Sequence, residues 1–500
     1  MPPSRRVLSV LAAALALAFL LAPRALAGPL DDELRELLRH TDLAGAQVGV
    51  LVIDPQTDRV LASLNPDTPL IPASNQKLLT SGAALITLGD SFSFKTEFLL
   101  DRDRLIIKGD GDPALGDPAL LERSAPPMTV EDLLDRLATA IKQRATGPIT
   151  EIIADDRIFD RQYTHPSWPD DALNRWYCAE VAGLNFHTNV ISVYVSPATQ
   201  GPGAAPLVSV EPDADFVSLT NRARTVSSGA NTVWIARPRP ENVFTLFGDV
   251  RLPAQAPIRA SIHEPPAFTA QLLRDQLAAT GLATPGETTI RLANDHDRFE
   301  NAQLAAVIST PLTEVLARCN TDSHNLYAEA MLKRLGHEVS TDAGSWANGA
   351  AVLRMILSER LGPDHVSTTH IADGSGMSRD NRVSPATLAA WLDSFSDDPE
   401  LFAPFAASLA TPGEGTLTSR FKGVSLNNQV RAKSGYLTGV YALSGYIIDP
   451  TTSRRLVFAL MVNEGDRSSG NARDFLDRYV AQIDTWLTNH RPARADAQGG

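Results

Sequence analysis

The spacing of apolar residues predicts a short helix and a β-hairpin near the start of the chain. Residues 30–38 have apolar positions at helical spacing, and 46–54 and 60–65 are predicted to pair as strands around a turn at 55–58. A second helix is predicted from Ser74 onward. Its apolar stripe consists of Leu78, Leu79, Ala83 and Ile86. The hairpin therefore leads directly into an amphipathic helix.

The middle of the chain is predicted to be a β-rich region inserted into a larger domain. Paired strands are predicted at 92–100 and 104–108, followed by a strong turn at 109–113. Beyond that turn, proline and glycine interrupt the chain often. The further predicted elements are helices at 128–144 and 266–280 and strands at 149–154, 191–195, 208–220, 232–236 and 243–250. We expect an insert at 98–295, which could consist of two subdomains.

Apolar residues at helical spacing return after residue 295. They predict that 296–490 form one discontinuous domain together with 28–97. Ser384 and Pro385 give one of these helices an N-cap and a first turn. The predicted helices are 311–318, 325–335, 343–359, 386–394 and 473–488, and the predicted strands are 430–448, interrupted by glycines, and 455–462. Residues 491–500 are expected to form a disordered tail.

The first 27 residues have the features of a secretory signal peptide. Arg5 and Arg6 precede an apolar run at 7–21, and Ala25-Leu26-Ala27 is a small-x-small cleavage site, so cleavage is expected after Ala27. The paired arginines weakly resemble a twin-arginine signal, which leaves the export route open. No later stretch is long and apolar enough to span a membrane. We therefore expect an exported protein, placed in the periplasm, without a membrane anchor after cleavage.

Composition and charge narrow the possible functions. The chain has 500 residues, more than one ordinary domain, and a net charge of −13 that becomes −16 without the three arginines of the signal peptide. An acidic chain without a basic cluster argues against nucleic acid and anionic membranes as partners. Cys178 and Cys319 are too few for a disulfide scaffold, show no zinc-site spacing, and leave open whether they pair. The sequence also leaves the oligomeric state open.

Ser74 and Lys77 form the first candidate for chemistry. Positions three apart share a helix face, so the hydroxyl and the amine can meet. A serine hydroxyl needs a base to become a nucleophile, and a lysine can act as that base when burial lowers its pKa. The alternative without a catalytic role is a capped helix with a solvated lysine. The Ser-x-x-Lys pattern has low specificity by itself, because Ser419-Arg420-Phe421-Lys422 matches it too.

Two further short motifs follow along the chain. Ser323-His324-Asn325 lies in the break between two predicted helices, where the hydroxyl could relay a proton and the amide could hold a substrate or the lysine. Lys433-Ser434-Gly435 is placed at the start of a predicted strand. There the lysine and serine could hold an anion, and the glycine could let a substrate backbone approach. Taken singly, each motif is equally compatible with a capping serine or a solvated lysine.

The ordered set is more specific than its members. Ser-x-x-Lys at a helix start, Ser-x-Asn between helices and Lys-Ser/Thr-Gly on a strand before a C-terminal helix resemble the motifs of β-lactamases and penicillin-binding proteins. The second Ser-x-x-Lys string, at 419–422, comes after Ser323-His324-Asn325 in the chain, so it does not fit the order of the three motifs. The spacing of roughly 250 residues between Ser74 and Ser323 is similar to that of the class C, type-4 penicillin-binding proteins, which have a large insert there. Four further stretches also resemble that family: 109–113, 184–189, 373–379 and 439–445.

The resemblance covers roughly residues 30–487 and implies an α/β (α+β) fold. That fold is a β-lactamase/transpeptidase-like three-layer domain with a large β-rich insert between the Ser-x-x-Lys and Ser-x-Asn motifs. It also implies a serine D-alanyl-D-alanine carboxypeptidase/endopeptidase that acts on peptidoglycan stem peptides, is acylated by β-lactams, and needs no metal or other cofactor. The preference between carboxypeptidase and endopeptidase activity stays open.

The resemblance also implies roles for particular residues. Ser74 would be the nucleophile and Lys77 the base, with Ser323 protonating the leaving amine. Lys433 and Ser434 would bind the terminal carboxylate, and the backbone N–H groups of Ser74 and Tyr436 would stabilise the oxyanion. The residues implied to act in catalysis or substrate binding are Ser74, Lys77, Ser323, Asn325, Lys433, Ser434, Gly435, Tyr436, Asp171 and Arg379.

Departures from the family pattern affect substrate details. Ser434 replaces the family's usual threonine but keeps its hydroxyl, and Thr438 stands where close relatives can carry glutamine. The acidic residue expected after Trp168-Pro169 could be Asp170 or Asp171, with Asp171 the better match.

Two other functions fit the same motifs. A catalytically silent peptidoglycan-peptide-binding protein is disfavoured, because a silent relative tends to lack the nucleophile or the base. A β-lactamase needs a dedicated deacylation device, and the sequence identifies none. A stable penicillin adduct on Ser74 would separate the three possibilities.

Overall fold

The computed structural model describes residues 28–465 and 470–491. The expected signal peptide at 1–27, and the expected tail from residue 492 onward, lie outside these ranges. Arg491 is described, and its guanidinium lies 2.8 Å from the Asp449 carboxylate. Among the described residues, no helix is both long enough and apolar enough to cross a membrane.

The chain alternates between strands and helices. The predicted strand at 208–220 is two separate strands, and the strand at 303–311 and the helix at 399–408 have no counterpart among the predicted elements. The helices are α1 (Asp31–His40), α2 (Gln76–Leu88), α3 (Pro118–Arg123), α4 (Val130–Arg144), α5 (Pro265–Ala279), α6 (Leu312–Asn320), α7 (Asn325–Ser340), α8 (Trp346–Leu361), α9 (Pro363–Ser367), α10 (Pro385–Asp393), α11 (Pro399–Ser408) and α12 (Gly470–Asn489). The first nine strands are β1 (Gln47–Asp54), β2 (Arg59–Leu64), β3 (Ser93–Asp101), β4 (Arg104–Lys108), β5 (Glu151–Asp155), β6 (Val190–Ser196), β7 (Leu207–Glu211), β8 (Ser218–Asn221) and β9 (Arg224–Thr225). The others are β10 (Trp234–Ala236), β11 (Val243–Phe247), β12 (Asp249–Val250), β13 (Ile258–Ser261), β14 (Thr289–Leu292), β15 (Gln303–Pro311), β16 (Gln429–Leu437), β17 (Val440–Ile448) and β18 (Arg455–Asn463).

A five-stranded antiparallel sheet in the order β16-β17-β18-β1-β2 forms the centre of a three-layer arrangement. Strand β18 shows why both faces are covered, because its residues alternate between two cores. Val457, Ala459 and Met461 pack with helices α2, α6, α7, α8, α10 and α11. Leu456, Phe458 and Leu460 pack on the other face with α1 and α12. The continuous apolar run of this strand therefore reflects burial on both sides.

The residues between α2 and α6 form a second mixed sheet and three smaller ones. The larger sheet has the order β14-β5-β4-β3-β15, and the smaller sheets are β13-β6-β7, β10-β11-β8 and β12-β9. Helices α4 and α5 pack into the core of this region. Helix α4 begins with a capping box between Thr129 and Asp132. Because β3 and β15 pair antiparallel, Ser93 and Pro311 lie opposite each other, where the chain enters and leaves the larger sheet. The domain boundaries at 97/98 and 295/296 stay predictions.

Two features near the C-terminus differ from the predicted pattern. The stretch 430–448 is a hairpin of two strands, β16 and β17, joined by Thr438 and Gly439, and Gly439 has a φ of 70° that suits a tight turn. The prediction that Lys433 starts a strand is wrong, because β16 begins at Gln429 and Lys433 is its fifth residue. Lys433 therefore lies inside the strand, where it pairs with Ser444 of β17.

Candidate active site

Ser74 lies in a short 3-10 turn, Ala73–Asn75, that leads directly into α2. The Lys77 Nζ is 3.1 Å from the Ser74 Oγ, so the predicted meeting of hydroxyl and amine is confirmed. Ala73 has a φ of 46°, which a residue with a side chain rarely adopts. Such local strain is typical of functional turns and requires support from the surrounding structure.

The Lys77 amine is buried and, besides the Ser74 hydroxyl, contacts two oxygens that can only accept hydrogen bonds from it. Its Nζ donates to the Asn325 Oδ1 at 2.7 Å and to the Ser375 carbonyl at 2.8 Å. Burial lowers the pKa of Lys77 to about 8, although nearby acidic groups oppose the shift. A neutral amine has two N–H groups and one lone pair. If both N–H groups donate to these two oxygens, the lone pair is available to accept the proton of the Ser74 hydroxyl.

The Ser323 and Asn325 motif occupies the break between α6 and α7, as predicted. Ser323 has a φ of 59°, a left-handed conformation that turns the chain sharply between the helices. The Asn325 amide is held from both sides, because its Oδ1 accepts from Lys77 and its Nδ2 donates to the Tyr177 carbonyl at 2.7 Å. Tyr177 belongs to the predicted insert, so the insert orients this amide.

Lys433 approaches the same cleft from β16. Its buried Nζ donates to the Ser323 Oγ at 2.8 Å and to the Ser434 carbonyl at 2.7 Å. Burial and, next, the charge of Lys77 lower the pKa of Lys433 well below its usual range. Ser74 thus contacts the amine of Lys77, and Ser323 contacts the amine of Lys433. Both amines lose their protons more easily than a solvated lysine does.

Gly435 has a packing reason besides the predicted approach of a substrate backbone, which stays a prediction. A Cβ at this position would lie 2.8 Å from the Pro72 carbonyl oxygen and 3.2 Å from the Ser74 nitrogen. The glycine therefore lets β16 approach the backbone of the nucleophile turn. Ser74 and Tyr436, whose backbone N–H groups are predicted to stabilise an oxyanion, both line the cleft described below.

The stretch 373–379 positions the Ser375 carbonyl, a contact that sequence reasoning did not find. The Asp373 carboxylate accepts from the N–H groups of Gly376 and Ser378 at 2.8 and 2.6 Å, and from the Asn381 Nδ2 and the Trp168 Nε1. Glu329, on α7, holds the preceding backbone. The available signal was Glu329 itself, an acidic residue one turn after Asn325 in an otherwise apolar part of the helix.

A cleft of about 720 Å³ opens above Ser74. Its lining includes Ser74, Ser323, Asn325, Ser434, Tyr436, Asp171 and Arg379, together with Trp176, Tyr177, Met377 and Thr438. Of the two acidic candidates, Asp171 lines this cleft and Asp170 is not among its lining residues. The guanidinium of Arg379 donates to the Thr438 carbonyl at 2.6 Å, which links the rim to the β16–β17 turn. Lys77, Lys433 and Gly435 lie beneath the surface.

The remaining candidates do not belong to this cleft. Ser419 is exposed, and its Oγ accepts from the Arg473 guanidinium at 2.9 Å, so the second Ser-x-x-Lys string has no part in the cleft lining. Cys178 and Cys319 are both buried and free. Burial raises the pKa of each thiol to about 12, which keeps both protonated at neutral pH.

A serine beside a buried amine, on a three-layer domain with an antiparallel sheet, defines the class of active-site serine enzymes that react through an acyl-enzyme. Residues 30–483 match the D-Ala-D-Ala carboxypeptidase 3 (S13) family, and the chain belongs to that family.

Individual relatives agree with this assignment. The D-alanyl-D-alanine carboxypeptidase of Actinomadura sp. (strain R39) is 32% identical over 458 residues, which cover 87% of this chain and 81% of the relative. The crystal structure of penicillin binding protein 4 (dacB) from Haemophilus influenzae has a similar fold, with a TM-score of 0.73 at 21% identity, covering 91% of this chain and 99% of that one. A structure of the same protein complexed with a β-lactam has a TM-score of 0.68 at 19% identity, with the same two coverages.

The expected family and fold are confirmed. The chain is a class C, type-4 penicillin-binding protein with a transpeptidase-like fold and an additional β-rich region. Its expected function, a serine-type D-alanyl-D-alanine carboxypeptidase/endopeptidase, is likewise confirmed at the level of the family. The roles of individual residues stay predictions.

Proposed function

We propose that this protein hydrolyses the D-alanyl-D-alanine bond of peptidoglycan stem peptides through an acyl-enzyme on Ser74. The observation that carries the proposal is the contact between the Ser74 Oγ and the buried Lys77 amine, 3.1 Å apart. The two other contacts of this amine are to oxygens that accept hydrogen bonds. The neutral form of Lys77 therefore has its lone pair available for the serine proton.

The reaction proceeds in two balanced halves. In acylation, Lys77 takes the hydroxyl proton, and the bond between the Ser74 Oγ and the carbonyl carbon forms. The carbon–nitrogen bond to the terminal D-alanine then breaks, and Ser323 relays the proton that Lys77 took to the leaving amine, which leaves Lys77 neutral again. In deacylation, water gives a proton to Lys77 as its oxygen bonds to the ester carbon. The bond between that carbon and the Ser74 Oγ then breaks, and the proton returns to restore the Ser74 hydroxyl. The N–H groups of Ser74 and Tyr436 stabilise the oxyanion in both halves.

Substrate binding follows from the charges around the cleft. Lys433 and Ser434 bind the carboxylate of the terminal D-alanine, and the Asn325 amide binds the peptide on the other side of Ser74. Asp171 and Arg379 contact the substrate at the cleft rim. β-Lactams acylate the same serine as covalent inhibitors, which is supported by the β-lactam complex of the Haemophilus influenzae protein.

The proposed place of action is the periplasm, after export through the signal peptide at 1–27. The basis is the sequence alone, with two arginines, an apolar run and the Ala25-Leu26-Ala27 site. Intact-mass measurement of the protein from the periplasmic fraction should give a chain that begins at Gly28. A chain that retains residues 1–27 in that fraction would contradict the cleavage site.

The nucleophile is tested by mass spectrometry of the intact protein after incubation with penicillin. The wild type should gain one penicillin mass, mapped to the peptide that contains Ser74. Ser74→Ala should gain none and should stay folded, because loss of the hydrogen bond between its hydroxyl and Lys77 costs only about 1 kcal/mol.

The chain offers a matched control in its second Ser-x-x-Lys string. Ser419→Ala removes an exposed hydroxyl from the same sequence pattern and should be labelled like the wild type. A wild type that never forms an adduct would favour a silent binding protein, and rapid penicillin turnover would favour a β-lactamase. Labelling of Ser74→Ala at the wild-type rate would overturn the assignment of the nucleophile.

A further inference from the structure

Glu329 is a fully buried carboxylate on α7, one helical turn beyond Asn325. Both of its oxygens are used. The Oε2 accepts from the Trp346 indole N–H at 2.8 Å and from the Gly374 N–H at 2.9 Å. The Oε1 accepts from the Ser375 N–H at 2.8 Å. Two consecutive backbone N–H groups are therefore held by one side chain, which fixes the direction of the chain at Ser375.

The fixed segment presents a carbonyl to the Lys77 amine. The Ser375 carbonyl accepts from the Lys77 Nζ at 2.8 Å. This carbonyl shares a peptide plane with the Gly376 N–H, which donates to the Asp373 Oδ1 at 2.8 Å. Because a peptide unit is planar and its C=O and N–H point in opposite directions, Asp373 holds the plane from one edge while Lys77 contacts the other. Glu329 holds the preceding peptide unit, because its carboxylate accepts from the Ser375 N–H.

We propose that Glu329 is a positioning residue, which through the Gly374–Ser375 backbone holds the Ser375 carbonyl against the Lys77 amine and so directs the amine's lone pair at Ser74. The inference rests on the proposed role of Lys77 as the base. Without this support the Ser375 carbonyl could turn away, and a neutral Lys77 would have an unfilled N–H group. Glu329 does not touch the substrate in this arrangement.

The charge of Glu329 gives the proposal a signature beyond geometry. The titratable groups that influence or face it are Lys77, Asp373, Lys333, Cys178 and Cys319. Burial lowers the pKa of Lys77, while Cys319, Glu329 and Asp373 raise it. Burial and the neighbouring Asp373 raise the pKa of Glu329 itself to about 7. Above that pH its negative charge therefore favours the protonated, inactive form of Lys77.

The sign of the pH effect follows from these directions. Lys77 acts as a base only when it has lost its proton, so acylation should rise with pH as Lys77 titrates near its pKa of about 8. Removing the Glu329 charge lowers the pKa of Lys77 further. The rising limb of the profile must then move to lower pH.

The test is the second-order rate of acylation by a chromogenic penicillin, measured across the pH range for Glu329→Gln. The glutamine amide has only one acceptor oxygen, and its NH₂ group must face one of the N–H donors that the carboxylate bound. We expect the plateau rate to fall roughly tenfold. The rising limb should move by about one unit to lower pH. A purely structural defect would lower the active fraction equally at every pH and leave the limb in place.

The matched control and a second variant decide the outcome. Glu338→Gln removes an exposed carboxylate from the same helix, where it pairs with Arg334, and should reproduce the wild-type profile. Glu329→Asp keeps the charge but withdraws the oxygens by one methylene. It should slow acylation without moving the limb, and it remains informative if Glu329→Gln does not fold.

Two results would overturn the role of Glu329. One is a Glu329→Gln protein with the wild-type rate and limb, and the other is a Glu329→Asp protein with the wild-type rate. A wild type that penicillin does not acylate would instead overturn the proposed function, so the two failures are distinguishable.

Discussion

Two buried lysines give this site its chemical character at the scale of single residues. Burial disfavours the charged form of each, and their mutual repulsion adds to the effect at Lys433. Their surroundings differ. Lys77 faces the nucleophile and two carbonyl-type oxygens, whereas Lys433 contacts the Ser323 hydroxyl and the Ser434 carbonyl. One amine is therefore suited to take a proton from Ser74, and the other to steady Ser323 and attract a carboxylate.

The first residue-scale prediction concerns the hydroxyl of Ser434. A hydrogen bond from this hydroxyl to the terminal carboxylate is charge-assisted and contributes on the order of 1.5–3 kcal/mol. Ser434→Ala should therefore cut kcat/KM for D-alanyl-D-alanine peptides by roughly one to two powers of ten. Ser434→Thr keeps the hydroxyl and should retain most of the activity. Steady-state release of D-alanine measures both variants.

An amidated substrate supplies the matched comparison. Its terminal carboxylate is already missing, so Ser434→Ala should barely change its rate of cleavage. The two enzymes and two substrates form a cycle that isolates the contact. If alanine slows the free-acid and amidated peptides equally, Ser434 does not bind the carboxylate.

At the scale of elements, the site depends on how closely strand β16 lies to the turn that holds Ser74. Gly435 makes this closeness possible, since a methyl group there would press on the Pro72 carbonyl. Three elements from distant parts of the chain thus meet at Ser74: the 3-10 turn before α2, the break between α6 and α7, and β16. None of them carries the chemistry alone.

Gly435→Ala tests this packing. A Cβ only 2.8 Å from a backbone oxygen must push β16 away from the nucleophile turn. A displacement near 1 Å typically costs up to about a hundredfold in rate, so penicillin acylation should fall by roughly one to two powers of ten. Gly147→Ala is the control, because a Cβ there meets nothing within 4 Å, and it should leave acylation unchanged. If Gly435→Ala is acylated at the wild-type rate, β16 can accommodate a Cβ and the site does not depend on the close approach of this strand.

At the scale of the whole molecule, residues of the predicted insert support the catalytic layers directly. The Tyr177 carbonyl holds Asn325, the Trp168 indole donates to Asp373, and Asp160 pairs with Lys333 at 2.7 Å. Lys333 is fully buried on α7 and also lies 4.0 Å from the Trp346 ring. The β-rich region is thus attached to the same helix that carries Asn325 and Glu329.

The Asp160–Lys333 pair should matter for stability. Asp160→Asn leaves a buried amine without its charged partner, which should lower the free energy of unfolding by on the order of 2 kcal/mol. Urea unfolding measures the change as a lower midpoint with an unaltered slope. Asp474→Asn breaks an exposed pair with Arg478 and should change the free energy by less than about 0.5 kcal/mol. Equal effects of the two substitutions would refute a structural role for the buried pair.

The sequence by itself determined the order of elements and the identity of the chemistry. Local patterns predicted the β1–β2 hairpin, helix α2 and the Ser384 cap of α10, because each depends on residues a few positions apart. The ordered motifs predicted the family for the same reason, since each motif is a short string on one element. Where a choice depended on neighbours in space, as between Asp170 and Asp171, the sequence left it open.

Tertiary structure decided which groups surround Lys77, and of these the sequence offered only Asn325, as one of two alternatives. Lys77 meets Asn325 and Ser375 across 248 and 298 positions of sequence, and Asn325 meets the Tyr177 carbonyl across 148. Two of these contacts are to backbone carbonyls. Every residue has a backbone carbonyl, so the amino-acid sequence does not show which one makes the contact. The lowered pKa values of both lysines come from burial, a property of the assembled layers. The candidate nucleophile can be read from the chain, but the surroundings that lower the pKa of Lys77 exist only once the sheet, the helices and the predicted insert have packed together.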